Sequence, residues 1–259
     1  PAVGATDNIA CGLVRAAMDA APKVMENPED YDARAEIMWV GTLAHNGLAG
    51  CGLGIPGLRD GDWTCHGLEH ELSALDTKIT HGAGLAVIFP AWMRYVWREH
   101  PGRFLEFGSQ VFGIEPVDPE VDELDVEVTP EQAVEYAVEA TIDELQEFFV
   151  SLGMPRTLSE FGVTADDIEK MMPGLKINRG ESFGSFMKLT LDDAREIFQR
   201  GSYTLRPTKG RFSKSKRLEK RPFVGLMNTG AIDRALMPKQ AGALLRPQDA
   251  QHALVQALL

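Results

Sequence analysis

The sequence predicts a mainly α-helical fold. Apolar residues recur three and four apart along its first 200 positions, and no sustained strand alternation appears there. Helix-start and helix-stop residues punctuate those runs. Taken in order, Ile9, Leu13, Val14, Ala17 and Met18 line one face of a first helix that ends near Asn27-Pro28. A second helix is expected over residues 33–48 and a third over 63–75. Residues 84–97 are strongly apolar, with Pro90 as a kink or a boundary, and their aromatics Phe89, Trp92, Tyr95 and Trp97 read as core. Thr129-Pro130-Glu131-Gln132 opens a long amphipathic helix, with Pro at the first position, that runs to Val150 and closes at Gly153. Shorter helices are expected over residues 165–172 and 191–199. Residues 115–127 are rich in Asp and Glu with two prolines and read as a solvated loop.

Composition narrows the function classes. At 44% hydrophobic and 25% charged, the 259 residues can bury a sizeable core in one or two domains. No apolar run approaches the eighteen or more residues of a membrane span, and no signal-peptide pattern is visible, so a soluble cytoplasmic protein without a membrane partner is expected. Cys11, Cys51 and Cys65 are odd in number and scattered, which argues against a disulfide framework. Cys65, although next to a histidine, reads as a small buried thiol. Residues 1–200 carry fifteen Lys or Arg against thirty-five Asp or Glu, whereas residues 201–259 carry eleven against three. The basic run from Arg206 to Arg221 has the charge to attract nucleic acid or anionic lipid. No folded binding motif accompanies it, so it is read as an unstructured extension, and no nucleic-acid partner is expected.

Three of the six histidines fall within sixteen residues, as His66, His70 and His81. Imidazole is the commonest metal ligand among side chains, and Glu69, Glu71 and Asp76 stand beside the three rings. Four residues apart, His66 and His70 share a helix face. His81 can return to that face if the chain turns through Asp76-Thr77-Lys78-Ile79-Thr80. A metal site built from a helix and the segment after it is the expectation. His45, in the helical stretch of residues 41–47, reads as packed or exposed rather than ligating, and His100, before Pro101 at an expected helix end, as a residue whose charge suits the helix dipole.

The run His66-Gly67-Leu68-Glu69-His70-Glu71-Leu72-Ser73-Ala74-Leu75, leading to His81-Gly82-Ala83-Gly84-Leu85-Ala86 and Phe89-Pro90-Ala91-Trp92-Met93, resembles the iron-dependent alcohol dehydrogenases of the butanol dehydrogenase-like branch. A second stretch, from Glu26 to Trp39, is similar to the segment preceding it in that branch. The resemblance implies the helical C-terminal domain of the dehydroquinate synthase-like fold, in which the metal sits in a cleft facing a dinucleotide-binding α/β domain. It implies His66 and His81 as metal ligands, for iron or zinc, and His70 as a catalytic residue that contacts substrate or relays a proton. It further implies a nicotinamide cofactor, NADH or NADPH, a small alcohol or aldehyde substrate, and a homodimer when complete.

The departures from the family are informative. The two ligand histidines are fifteen residues apart where the family usually has fourteen, so one residue is inserted in the intervening turn, at little cost for a loop. The chain begins with Pro and matches the family only after the helix carrying its aspartate and first histidine, which suggests an N-terminally truncated piece. No cofactor-binding residues are assigned, because the glycines of residues 47–54 contain a GxG spacing with no strand pattern before them. Residues 1–200 are therefore read as an all-helical, metal-binding catalytic domain of an oxidoreductase and 201–259 as an extension beyond the family, whose likeness stops near Gln199. The alternative is a non-catalytic helical metal-binding or interaction module. A related lyase of the dehydroquinate synthase type fits the Phe89-Pro90-Ala91-Trp92 continuation less well.

Overall fold

The structure is a computed structural model that describes residues 4–51, 61–117 and 128–203 and the backbone of 213–215. Eight α-helices occur among the described residues. The first, α1 (Gly4–Glu26), and α2 (Tyr31–His45) form a hairpin in which Val14, Ala17, Ala21 and Val24 bury against Ile37 and Val40. Asp30 starts α2 by accepting the Ala33 N–H at 3.0 Å, satisfying one of the donors that a helix start leaves over. The expected second helix is three residues too long at its C-terminus, because α2 ends at His45.

The site is carried by α3 (Thr64–Leu75) and α4 (His81–Val96), which lie side by side. The latter is the centre of the fold. It packs on α6 (Pro130–Ser151) and α8 (Leu191–Ser202) as well as on α3, and buries Leu85, Ala86, Val87, Ile88, Met93 and Val96. It also begins three residues earlier than the apolar pattern suggests, with His81 as its first residue. Pro90 lies inside it, so of the two readings left open for that residue the boundary is excluded. Trp92 and Trp97 are core residues as expected, while Phe89 and Tyr95 are half-buried against it. The long helix α6 has the full capping box, Thr129 accepting from Gln132 N–H at 3.3 Å and the Gln132 side chain accepting from Thr129 N–H at 3.0 Å.

Three elements depart from the sequence reading. Between α4 and α6 a short helix, α5 (Pro101–Phe107), runs into a π-helical turn, Gly108–Phe112, too brief to register as periodicity. A strand, β1 (Ile114–Pro116), follows and pairs antiparallel with β4 (Ser213–Ser215), so the expected acidic loop starts inside a sheet; residues 118–127 lie outside the described residues. The helix α7 (Ala165–Arg179) runs through Pro173 seven residues past its expected end, because Met171, Met172 and Leu175 are buried where it packs on α3 and α8. A two-residue hairpin pair, β2 (Ser182–Phe183) and β3 (Leu189–Thr190), leads into α8. Apart from β4 and residues 201–203, the expected unstructured extension over 201–259 lies outside the described residues. Cys11 and Cys65 are buried free thiols, and burial pushes the Cys65 thiol well up. No helix among the described residues is long and apolar enough to cross a membrane.

Candidate metal centre

The first turn of α3 is clamped before it reaches its histidines. Asp62 accepts the backbone N–H of Thr64 at 2.7 Å, of Ser185 at 2.9 Å and of Phe186 at 2.6 Å, tying the β2–β3 hairpin to the start of the helix. Burial pushes the Asp62 carboxyl up, but these hydrogen bonds and Thr64 outweigh it and hold the pKa below the ordinary 3.8. Trp63, half-exposed, lays its ring on His66 with centroids 4.5 Å apart and meets the exposed His45 edge-on at 6.3 Å. His45 is thus near the site as an outer neighbour.

After α3 the chain turns tightly. Asp76 accepts the Lys78 N–H on its side chain and the Ile79 N–H on its carbonyl, both at 2.9 Å, and Ile79 is buried beneath the turn. Through this turn His81 returns to the face that carries His66 and His70. The ring centroids of His66 and His81 are 5.3 Å apart, and so are those of His70 and His81. Imidazole nitrogens bind zinc or iron at about 2.0–2.2 Å, which places two rings on one ion at a tetrahedral angle with centroids roughly 5.2 Å apart. Both histidine pairs satisfy that spacing.

Burial distinguishes them. His66 is 8% exposed, and its Nε2 is buried with no hydrogen-bond partner among the described residues. Burial, followed by the neighbouring His81, His70 and His45 and by Arg179, lowers its pKa to about 4, so the ring is neutral and its lone pair available at physiological pH. A neutral imidazole nitrogen buried with no hydrogen-bond partner among the described residues is chemically suited to hold a cation. His70 is exposed at the mouth.

Glu69 is the residue that sequence reasoning left in the background. It is wholly buried, its Oε1 accepts from Ser73 Oγ at 2.6 Å, and its Oε2 meets His81 Nδ1. Donor atoms of Glu69, His70 and His81 all lie within 4.8 Å of one another. Nothing in the spacing flags Glu69, since one residue before His70 it points about 100° around the helix from that ring. A recess of about 160 Å³ adjoins the centre, between Asp62, Trp63, Thr64, Arg179 and the turn after β2.

Residues 2–201 match the C-terminal part of the Fe-containing alcohol dehydrogenase family. The chain belongs to that family. Among curated relatives, it is 36% identical over 195 residues to NADH-dependent butanol dehydrogenase A of Clostridium acetobutylicum, covering 75% of this chain and 45% of that one. It is 29% identical over 197 residues to the NADPH-dependent aldehyde reductase YqhD of Escherichia coli, covering 74% and 44%. Among solved structures, NADH-dependent butanol dehydrogenase A from Thermotoga maritima superposes with a TM-score of 0.62 at 33% identity, covering 77% of this chain and 46% of the other. The cofactor-free aldehyde reductase YqhD gives 0.64 at 27%, covering 78% and 47%. The chain spans about half the length of the curated relatives it matches. Membership accords with the histidine-centred resemblance and with the helical fold, and the match ends within two residues of Gln199.

Proposed function

We propose that this chain is the metal-binding half of an NAD(P)H-dependent enzyme interconverting primary alcohols and aldehydes, with residues 1–200 as its catalytic helical domain. The observation that carries the reading is that the rings of His66 and His70 both lie beside His81, with the buried His66 Nε2 having no hydrogen-bond partner among the described residues. His66 and His81 are the metal ligands, and His70 is the residue that meets substrate. A bound iron or zinc ion supplies a Lewis acid toward the carbonyl oxygen, and a nicotinamide held by a separate nucleotide-binding domain supplies or takes the hydride. The remaining work falls to this chain. Trp63 lies on the His66 ring and helps to hold its orientation. His70, open to solvent, moves a proton between the substrate oxygen and bulk water through its ring nitrogens. Iron is the family's metal by description, and imidazole donors accept either ion. Relatives named as butanol dehydrogenases and aldehyde reductases make butanal the probe substrate.

The test is to express the chain together with the coding sequence preceding it in its genome, and to measure bound metal and NAD(P)H-dependent butanal reduction in it and in its His66→Ala variant. About one metal per chain and turnover, both lost in His66→Ala, is the expected result. Metal without turnover for any short aldehyde would leave the non-catalytic metal-binding module. No metal at all would make the histidine cluster structural.

A further inference from the structure

We propose that Glu69 is the positioning residue of this centre: its carboxylate takes the Nδ1–H of His81 and thereby presents the Nε2 lone pair of that ring to the metal. The inference rests on the metal reading above.

A carboxylate with no solvent exposure is costly unless its oxygens are satisfied. Both oxygens of Glu69 are satisfied, one by Ser73 Oγ at 2.6 Å and the other by His81 Nδ1. Among the described residues no lysine or arginine pairs with it. Its place in the fold is prepared by a gap in α4, because a Cβ on Gly84 would stand 2.7 Å from both Glu69 Cγ and Glu69 Oε1. Glu69 therefore reaches across the α3–α4 interface only where α4 has no side chain. The chemistry follows from the ring. A neutral imidazole carries one proton, and an acceptor at Nδ1 fixes it there, so that Nε2 carries the lone pair. His70 and His81 lie close enough for Glu69 itself to be a third ligand. The geometry favours positioning, since both carboxylate oxygens already serve α3 and α4.

The experiment uses two readouts on the extended protein of the preceding test, as wild type, Glu69→Gln and Glu69→Ala. The first is iron(II) and zinc(II) affinity by chelator competition. The second is the His81 tautomer in the metal-free chain, read from long-range ¹H–¹⁵N spectra at a pH above the ordinary imidazole pKa of about 6.5. Glu69→Ala is expected to bind metal roughly 10–100-fold more weakly, the usual cost of losing such a partner, and to move the proton of His81 to Nε2. Glu69→Gln keeps an acceptor of the same shape, and is expected to retain the Nδ1–H tautomer and most of the affinity. It also stands in should Glu69→Ala fail to fold. Wild-type affinity in Glu69→Ala with an unchanged tautomer would overturn this inference and leave the metal reading intact. Equal, complete loss of metal in both variants, with the Nδ1–H tautomer kept in Glu69→Gln, would make Glu69 a ligand and also overturn it. An extended wild-type protein that binds neither ion would bring down the metal reading and this inference together.

Discussion

Replacing Gly84 with alanine separates the packing argument from helix propensity, because the two predict opposite signs. Gly84 lies inside α4, where alanine is favoured over glycine by about 1 kcal/mol. The new methyl would meet Glu69 at 2.7 Å, at the root of the carboxylate arm as well as at its tip. Glu69 has no exposed surface into which to swing. Overpacking of this kind costs about 1–3 kcal/mol, and dislodging a carboxylate from a charge-assisted hydrogen bond adds about 1.5–3 kcal/mol. After the propensity gain, a net destabilisation of about 3 kcal/mol remains, equivalent to roughly 6–12 °C in Tm for a domain of this size. Gly12→Ala in α1 is the control, since its Cβ would find only Arg15 Nη2, at 3.9 Å. It is expected to gain between about 0.5 and 1 kcal/mol. Thermal and urea unfolding of both variants decides the matter. If Gly84→Ala is as stable as Gly12→Ala, the tight seating of Glu69 against α4 is refuted, and with it the account of what holds His81.

Two further predictions concern charge. Arg94 is buried on α4, within 3.2 Å of Glu139 and 2.5 Å of Asp143 on α6. Burial already raises the Glu139 carboxyl above 4.5 although Arg94 pulls it down. Arg94→Met should therefore cost about 2–3 kcal/mol at neutral pH, a figure reduced for the partial exposure of both carboxylates. The loss should shrink as pH falls and Glu139 takes up a proton; urea unfolding at several pH values that gave a constant loss would contradict the pairing. Asp62 ionises below its ordinary 3.8 in the folded chain, so its stabilisation is complete above about pH 4 and is lost as pH falls through the folded pKa. Asp62→Asn should be less stable at neutral pH by about 1–3 kcal/mol and should lack that acid-side loss, which parallel pH titrations of Tm would reveal.

Much of the helical frame is legible in the chain because helix signals are local. Thr129 and Gln132 form their capping box where the sequence places it, and the His66–His70 pair needs only the 3.6-residue period to share a face. The misjudged ends have a different cause. Residue preference stops α7 at Pro173 and starts α4 late, whereas burial against α3 and α8 carries α7 on to Arg179, and the histidine turn starts α4 at His81. Even the short α5 and β1, with little periodicity of their own, owe their form to packing on α6.

By itself, then, the sequence determined the helical class, the histidine cluster and the family to which both belong, since period, spacing and motif are properties of neighbouring residues. Only the tertiary structure decided which imidazole is buried with no hydrogen-bond partner among the described residues, that Trp63 covers it, and that Glu69 meets His81. The two sides of that last contact come from different helices and meet through the absence of a side chain at Gly84. A gap of that kind has no signature in either helix alone, because it exists only when their faces are brought together.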